Sequence, residues 1–334
     1  MSGESVEMIS SLRRLSFILI AFVLILPSAS CAPVEQQTRV LNVGLLLGSG
    51  GLGDRSFNDS AYAGLLEAQT KYNIRFETIA SGSKEANIDA LRLFARSGYD
   101  LIIAVAFENL ESLKIVAAEF PSVKFAGIDF ELTAPNVSSI VYREQEADFL
   151  MGALAAMLTQ TKKICVIGGT DIPAIRRIMS GFTQGAAHQD PSVTVITDFA
   201  GTFADPQVGL ALALKRYSEG VDIIHNAASR TGLGIIQAAQ QTGKLTTGTS
   251  GDQRYLAPGN VVGNRPKRVD TAVLLLVEEV KNEKFTPGTR SLGLKENGFS
   301  LGPFDTDLVT PQMLARLDEL KQQITGGLLT ILTE

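Results

Sequence analysis

Short apolar runs alternate with helix-spaced segments along almost the whole chain, and few architectures accept that alternation. Strands are predicted at 40–47, 74–80, 101–106, 124–128 and 138–142, then at 163–167, 193–199, 221–225, 245–248 and 261–263. Helices are predicted between and after them, at 59–72, 87–96, 110–119, 144–160, 174–188, 206–219, 231–241, 269–282 and 311–324. In the first helix Ala61, Leu65 and Ala68 keep three- and four-residue spacing, and Ile88, Leu91 and Phe94 do so in the second. Strands that are apolar throughout, each followed by a helix, imply parallel sheets covered on both faces. Ten strands are many for one sheet, so the fold expected is α/β with two doubly wound, Rossmann-like lobes. A weak internal echo, SGYDLIIAVAF (97–107) against EGVDIIHNAAS (219–229), fits two related halves, although any two βα units share such features.

The first βα unit concentrates the local signals. The run Val43–Leu47 breaks into Gly48, Gly50, Gly51 and Gly53, followed by Asp54, Arg55, Ser56, Phe57 and Asn58, and Asp59 opens the helix-like segment. A buried strand, a glycine turn and a helix N-terminus bring backbone N–H groups and short polar side chains to the carboxyl edge of a sheet. Open α/β sheets bind ligands there.

The leading residues are read as targeting sequence. Arg13 and Arg14 precede an apolar run, Leu15 to Leu26, and then Pro27-Ser28-Ala29-Ser30-Cys31. This is the pattern of an export signal, and the run is short for a membrane span. Cys31 after small residues resembles a lipobox, with Cys31 as the acylated first residue. Ser28 stands where such boxes usually carry Leu, and an ordinary cleaved signal is the other reading. Residues 32–38 form a polar tether. With Cys31 lipidated, Cys165 stands alone and no internal disulfide can form. A net charge of −5 without Lys/Arg blocks argues against nucleic acid and points to a soluble monomer in a polar compartment.

Enzyme chemistry is weighed next. Gly48-Ser49-Gly50-Gly51-Leu52-Gly53 satisfies G-x-G-x-x-G after a strand, with Glu77 near the place of a ribose-binding acid, so a dinucleotide-dependent dehydrogenase is one reading. Against it, DRSFN intervenes before the helix, and an exported protein lacks a nicotinamide pool. His188 and His225 have no ligand partners at metal spacing, and there is no G-x-S-x-G elbow. Neither a metal nor a cofactor is expected. The loop-tip carboxylates Asp54, Asp129, Asp171, Asp205 and Asp252 are spread over both halves, which suits hydroxyl recognition better than acid–base work. Phe57 and Phe203 sit in equivalent loops of the two halves, where they either pack under their own turns or stack on a planar ligand. Stacking of that kind is worth about 1–3 kcal/mol per base.

The motif Gly50-Gly51-Leu52-Gly53-Asp54-Arg55-Ser56-Phe57-Asn58 resembles the glycine-DDKSFN signature of the basic membrane protein family, bacterial purine-nucleoside-binding lipoproteins. The likeness continues through Phe125-Ala126-Gly127-Ile128-Asp129, Phe203-Ala204-Asp205-Pro206, Thr231-Gly232-Leu233-Gly234, Gly251-Asp252-Gln253 and Lys267-Arg268-Val269-Asp270, across the mature chain. The resemblance implies a type I periplasmic-binding-protein fold, two lobes on a three-strand hinge, and a non-enzymatic protein that feeds an ABC permease. It implies a purine ring held between aromatics, with acidic and lysine side chains on the ribose. The ligand-binding residues it implies are Asp54, Phe57, Asn58, Asp129, Phe203, Asp252 and Lys267, with Gly232 and Arg230 in the small-residue loop.

The sequence departs from the family pattern at three places. Gly53 replaces the first of two aspartates, Ser250 replaces an aspartate before Gly251, and Ser229-Arg230 stand where small residues are usual. Arg230 reads either as reaching an anionic or carbonyl-bearing ligand or as a solvated surface side chain. The expected division is 1–31 signal, 32–38 tether, 39–142 with 250–285 as lobe 1, and 143–249 with 286–334 as lobe 2. A receptor that reports to a membrane signalling protein is the alternative to an importer component. Either would be exported and held on the extracytoplasmic face by a lipid anchor alone.

Overall fold

Two parallel sheets, each covered by helices, account for nearly every apolar run in the sequence. The structure, a computed structural model, describes residues 39–249 and 251–333. The expected signal, Cys31 and tether, and the departure at Ser250, lie outside the described residues. The first half contains β1 (Asn42–Leu46), α1 (Phe57–Tyr72), β2 (Arg75–Ile79), α2 (Lys84–Arg96), β3 (Leu101–Val105), α3 (Leu110–Glu119), β4 (Lys124–Ile128) and β5 (Val137–Tyr142). Next come α4 (Glu144–Leu158), β6 (Lys163–Gly168), α5 (Pro173–Gln189), β7 (Thr194–Phe199), α6 (Pro206–Ser218), β8 (Ile223–Ala227), α7 (Gly232–Thr242), β9 (Leu245–Gly248) and β10 (Val261–Asn264). The chain finishes with α8 (Val269–Lys281), β11 (Gly288–Leu292) and α9 (Pro311–Thr325).

Lobe 1 is built on a six-stranded sheet ordered β11-β5-β4-β3-β1-β2, and lobe 2 on a five-stranded sheet ordered β10-β9-β8-β6-β7. All strand pairs are parallel. The central strands β3 and β8 are buried along their whole length, as strands covered on both faces must be. The edge strands β2, β7 and β11 alternate with polar residues that face water.

The last strands correct the expected lobe limits. β10 pairs with β9 in lobe 2, although 250–285 was assigned to lobe 1, and β11 pairs with β5 in lobe 1, although 286–334 was assigned to lobe 2. β11, Gly-Thr-Arg-Ser-Leu, carries no apolar run, and no strand is predicted there. The chain crosses between lobes three times: at β5–α4, at β10–α8, and from β11 to α9, which packs on α4. The second and third crossings pair antiparallel, through Lys267 with Phe299 and Gly263 with Phe304. Backbone bonds such as Gly302 N–H to Asn264 O (2.7 Å) and Arg268 N–H to Gly298 O (2.9 Å) complete this ribbon.

Helix α4 is buried on nearly all sides, and its contact with α5 is close enough to require glycine. A Cβ on Gly185 would lie 1.8 Å from the Phe149 carbonyl oxygen, and one on Gly152 would lie 2.0 Å from that of Phe182. Lobe 2 is therefore anchored to the hinge by a rigid helix pair.

Candidate functional site

The carboxyl ends of both sheets supply one cleft of ≈ 650 Å³, solvent at its mouth included. From lobe 1 come Gly48, Ser49, Gly50, Phe57 and Asn58 after β1, Ala106, Phe107 and Glu108 after β3, and Asp129 after β4. Lobe 2 contributes Ile172, Ile175 and Ile178 after β6, Phe203 after β7, Ser229 after β8 and Thr249 after β9, and the second hinge crossing adds Arg265 and Lys267. The mix of apolar wall with few polar groups is that of a small-molecule site. Three non-glycine residues at these strand ends hold positive φ: Ala106 at 76°, Asp129 at 75° and Ser229 at 50°. Backbone strain of this kind gathers at ligand sites.

Each aromatic is set by its local sequence. Phe57 is the first residue of α1 and borders the cleft. Phe203 lies flat on Gly169, where a Cβ would come within 2.1 Å of the ring. Its loop is fixed by Thr231, whose N–H donates to the Phe203 carbonyl (3.2 Å) and whose hydroxyl accepts from the Asp205 N–H (3.0 Å). Asp205 then caps α6 by accepting from the Gln207 N–H (2.8 Å), and Pro206 takes the first helical position. The F-x-D-P motif is thus a cleft aromatic followed by a helix start.

The floor is a chain of buried charges. Lys267 Nζ donates to both oxygens of Asp129 (2.8 Å each) and to Oε1 of Glu144 (2.8 Å), and Glu144 Oε2 accepts from Arg177 Nε (2.6 Å). An ammonium has three protons, so every Lys267 donor is engaged. The Lys267 charge also faces the rings of Tyr142 at 4.9 Å and Phe57 at 5.7 Å. Burial pushes the Asp129 carboxyl above its ordinary value, and Lys267 only partly offsets that. Glu144 is equally buried, yet Lys267 and Arg177 together hold it below its ordinary value. Of the two carboxylates Asp129 is the less firmly held in its charged form, and it is the one that lines the cleft.

A second network lies beside the first. Arg265 Nε donates to Asp148 Oδ1 (2.8 Å), and its Nη2 lies 2.8 Å from Oδ2. His225 bridges the same carboxylate through Nε2 (2.7 Å) and Thr247 through Nδ1, and its ring stacks on Phe182 at 4.9 Å. Burial lowers the His225 pKa, so the ring is neutral, with Nε2–H donating to Asp148. Among the described residues, no cluster of His, Cys, Asp or Glu could hold a metal ion.

Of the residues expected at the site, Phe57, Asn58, Asp129, Phe203 and Lys267 come together in the cleft. Asn58 holds the glycine loop by accepting from the Gly48 N–H (2.8 Å). Asp54 is fully buried outside the lining, with five protein donors on its carboxylate: the N–H groups of Ser56, Asn58 and Asp59, Asn58 Nδ2, and Ser229 Oγ. It satisfies the orphan donors of the first turn of α1. Asp252 lies outside the lining, paired through both oxygens with Arg254 (2.9 and 3.0 Å). Gly232 starts α7, where a Cβ would meet the Asn226 side chain at 2.1 Å. Arg230 reaches across to lobe 1, where Nε donates to the Gly50 carbonyl (2.7 Å) and Nη2 to that of Leu52. The sequence reading missed Arg265, whose partner is 117 residues away, and Glu108, whose Oε1 accepts from the Ser49 N–H (2.7 Å).

Comparison with known proteins agrees with this architecture. The family described as ABC transporter substrate-binding protein PnrA-like (Bmp) matches residues 41–327. An uncharacterised lipoprotein of Pyrococcus horikoshii is 33% identical over 287 residues, covering 81% of this chain and 70% of its own. Basic membrane protein A of Borreliella burgdorferi is 30% identical over 289 residues, covering 84% of each chain. The crystal structure of an ABC transporter solute-binding protein from Aeropyrum pernix superposes with a TM-score of 0.82 at 27% identity, over 88% of this chain and 94% of that one. A two-lobed α/β fold with a cleft at the carboxyl ends of both sheets and a match over almost every described residue lead to one assignment: the chain belongs to the Bmp family of PnrA-like ABC transporter substrate-binding proteins.

Proposed function

We propose that this chain is the substrate-binding lipoprotein of an ABC importer and that its cleft takes a purine nucleoside or a closely related heteroaromatic. One observation carries the reading: phenylalanines from opposite lobes, Phe57 and Phe203, border a single cleft whose floor is polar and charged. A flat base lies between the two rings. The sugar hydroxyls reach the floor, where Asp129 accepts hydrogen bonds and Asn58 and Lys267 assist. Because all three Lys267 donors are engaged by protein carboxylates, a hydroxyl enters by sharing an Asp129 oxygen and not by finding a free ammonium. The ligand set is therefore Phe57, Asn58, Asp129, Phe203 and Lys267. Asp54, Gly232, Arg230 and Asp252 support it from outside, since their polar groups or their space are already taken up by protein.

The protein acts as a monomer, delivers its ligand to a membrane permease, and is anchored through an acylated Cys31. Such an anchor raises the effective concentration at the permease without any new contact. Titration calorimetry with adenosine, guanosine, inosine and the pyrimidine nucleosides tests the reading. Heat with the purines is expected; silence across the whole panel overturns it.

A further inference from the structure

The mouth of the cleft is bridged by hydrogen bonds in which no ligand atom takes part. Arg230, just after β8 in lobe 2, donates through Nε to the carbonyl of Gly50 (2.7 Å) and through Nη2 to that of Leu52, both in the loop after β1 in lobe 1. Its neighbour Ser229 donates through Oγ to Asp54 Oδ2 (2.8 Å). Gln253, between β9 and β10, donates through Nε2 to the carbonyl of Arg55 (3.0 Å). Three side chains of lobe 2 thus engage one six-residue stretch of lobe 1.

The geometry of that stretch is matched to them. Gly51 and Gly53 hold φ of +60° and +81°, which bends the loop so that it presents carbonyls toward Arg230. At Gly50 a Cβ would come within 2.5 Å of Ser229 Oγ, so the lobes meet this closely only because the side chain is absent. The loop begins with Gly48, Ser49 and Gly50 and ends at Phe57 and Asn58, all of which border the cleft. Whatever holds it holds one wall of the site.

We propose that Ser229 and Arg230 are positioning residues that latch the glycine loop of lobe 1 over the cleft, so that a bound ligand leaves only after the latch has opened. The proposal rests on the cleft being the ligand site but not on the nucleoside assignment. Protein-to-protein bonds contribute the same closing free energy whatever lies inside. They therefore slow the departure of every ligand by the same factor, and they leave arrival at the open form unchanged. A charge-assisted pair on a half-exposed side chain corresponds to roughly a tenfold effect.

Two measurements on Arg230→Ala test the latch. In ligand-free protein, hydrogen exchange of the amides in 50–56 should rise about tenfold while those of β3 and β8 stay unchanged. In stopped-flow dissociation, every ligand that binds should leave about tenfold faster, with association no slower, since a latch closed in the empty protein delays entry as well. Arg230→Lys, which keeps the charge but loses the planar fork that spans both carbonyls, should fall between. Unchanged exchange in 50–56 overturns the proposal, whatever the ligand panel shows. A loss confined to ligands that share one functional group also overturns it, because Arg230 would then be touching ligand. Gly50→Ala provides an independent route: it should open the same loop, and Ser229→Gly in the same chain should restore part of the protection by removing the collision. If no nucleoside binds at all, the exchange experiment still decides the latch, so the two failures are distinguishable.

Discussion

The mouth and the floor of the cleft are both held by hydrogen bonds between distant parts of the chain, yet they are built from different materials. At the mouth a half-exposed arginine meets backbone carbonyls of a glycine loop, and water can replace each bond as it breaks. At the floor Lys267 and Arg265 are buried among Asp129, Glu144 and Asp148, where nothing replaces a lost partner. A buried pair is strongly destabilising to break, whereas an exposed one is worth little. The contrast suits a hinged receptor. Contacts that must open and close are cheap to break, and contacts on the hinge stay intact through the cycle.

The largest effect expected from this contrast is at the floor. Lys267→Ala leaves Asp129 and Glu144 buried without their shared cation and should cost about 3–5 kcal/mol in denaturant unfolding. A loss under about 1 kcal/mol would mean that the floor, like the mouth, is wet. Phe203→Ala comes next. It should weaken nucleoside binding by more than about tenfold, as expected for a lost stacking partner, with little change in unfolding. An unchanged affinity would remove Phe203 from the ligand set.

The pH dependence separates the regions again. The folded His225 pKa lies below the ordinary 6.5, so the native state binds fewer protons than the unfolded one. Stability is therefore complete above that value and should decline as pH falls below it. His225→Gln should flatten the melting temperature across pH 5 to 7, about the range in which histidine titrates. Glu144, also lowered, adds a further loss near and below its ordinary 4.5, and the raised Asp129 acts in the opposite sense. A wild-type profile that is level below pH 6.5 would show that the His225 network is not sealed. The smallest effect belongs outside the cleft. Asp252→Asn should leave affinity unchanged and stability within about 0.5 kcal/mol. A tenfold loss of affinity would bring Asp252 back to the ligand.

Most of the fold was legible because parallel strands buried on both faces are apolar without interruption, and all ten expected strands are present. β11 escaped because an edge strand needs no such run; Thr289 and Ser291 face water there. In the site, Phe57 and Phe203 could be read from their loops, since an aromatic in a polar turn needs a surface to cover. The polar residues were harder. Asp54 lies in the same motif as Phe57, but its position just before a helix start turns it toward N–H groups of its own chain. A capping role was available from that spacing. Asp252 sits two residues before Arg254 and pairs locally, which motif matching does not reveal. Arg265 could not be found in this way, because its meaning depends on Asp148 in α4.

The strand β11 has a consequence for how the molecule comes into being. It completes the sheet of lobe 1, yet it is made after every strand of lobe 2. Helix α9, which follows it, returns to pack on α4. Neither lobe is an uninterrupted stretch of chain, so neither has all its elements until β11 and α9 have been delivered. Contacts between such distant segments close large loops and slow the search for the native state. An emerging chain would hold the β5 edge of its first sheet unpaired while the other lobe assembles, exposed to mispairing for that whole interval. The sheet of lobe 1, though begun first, is the last to be completed.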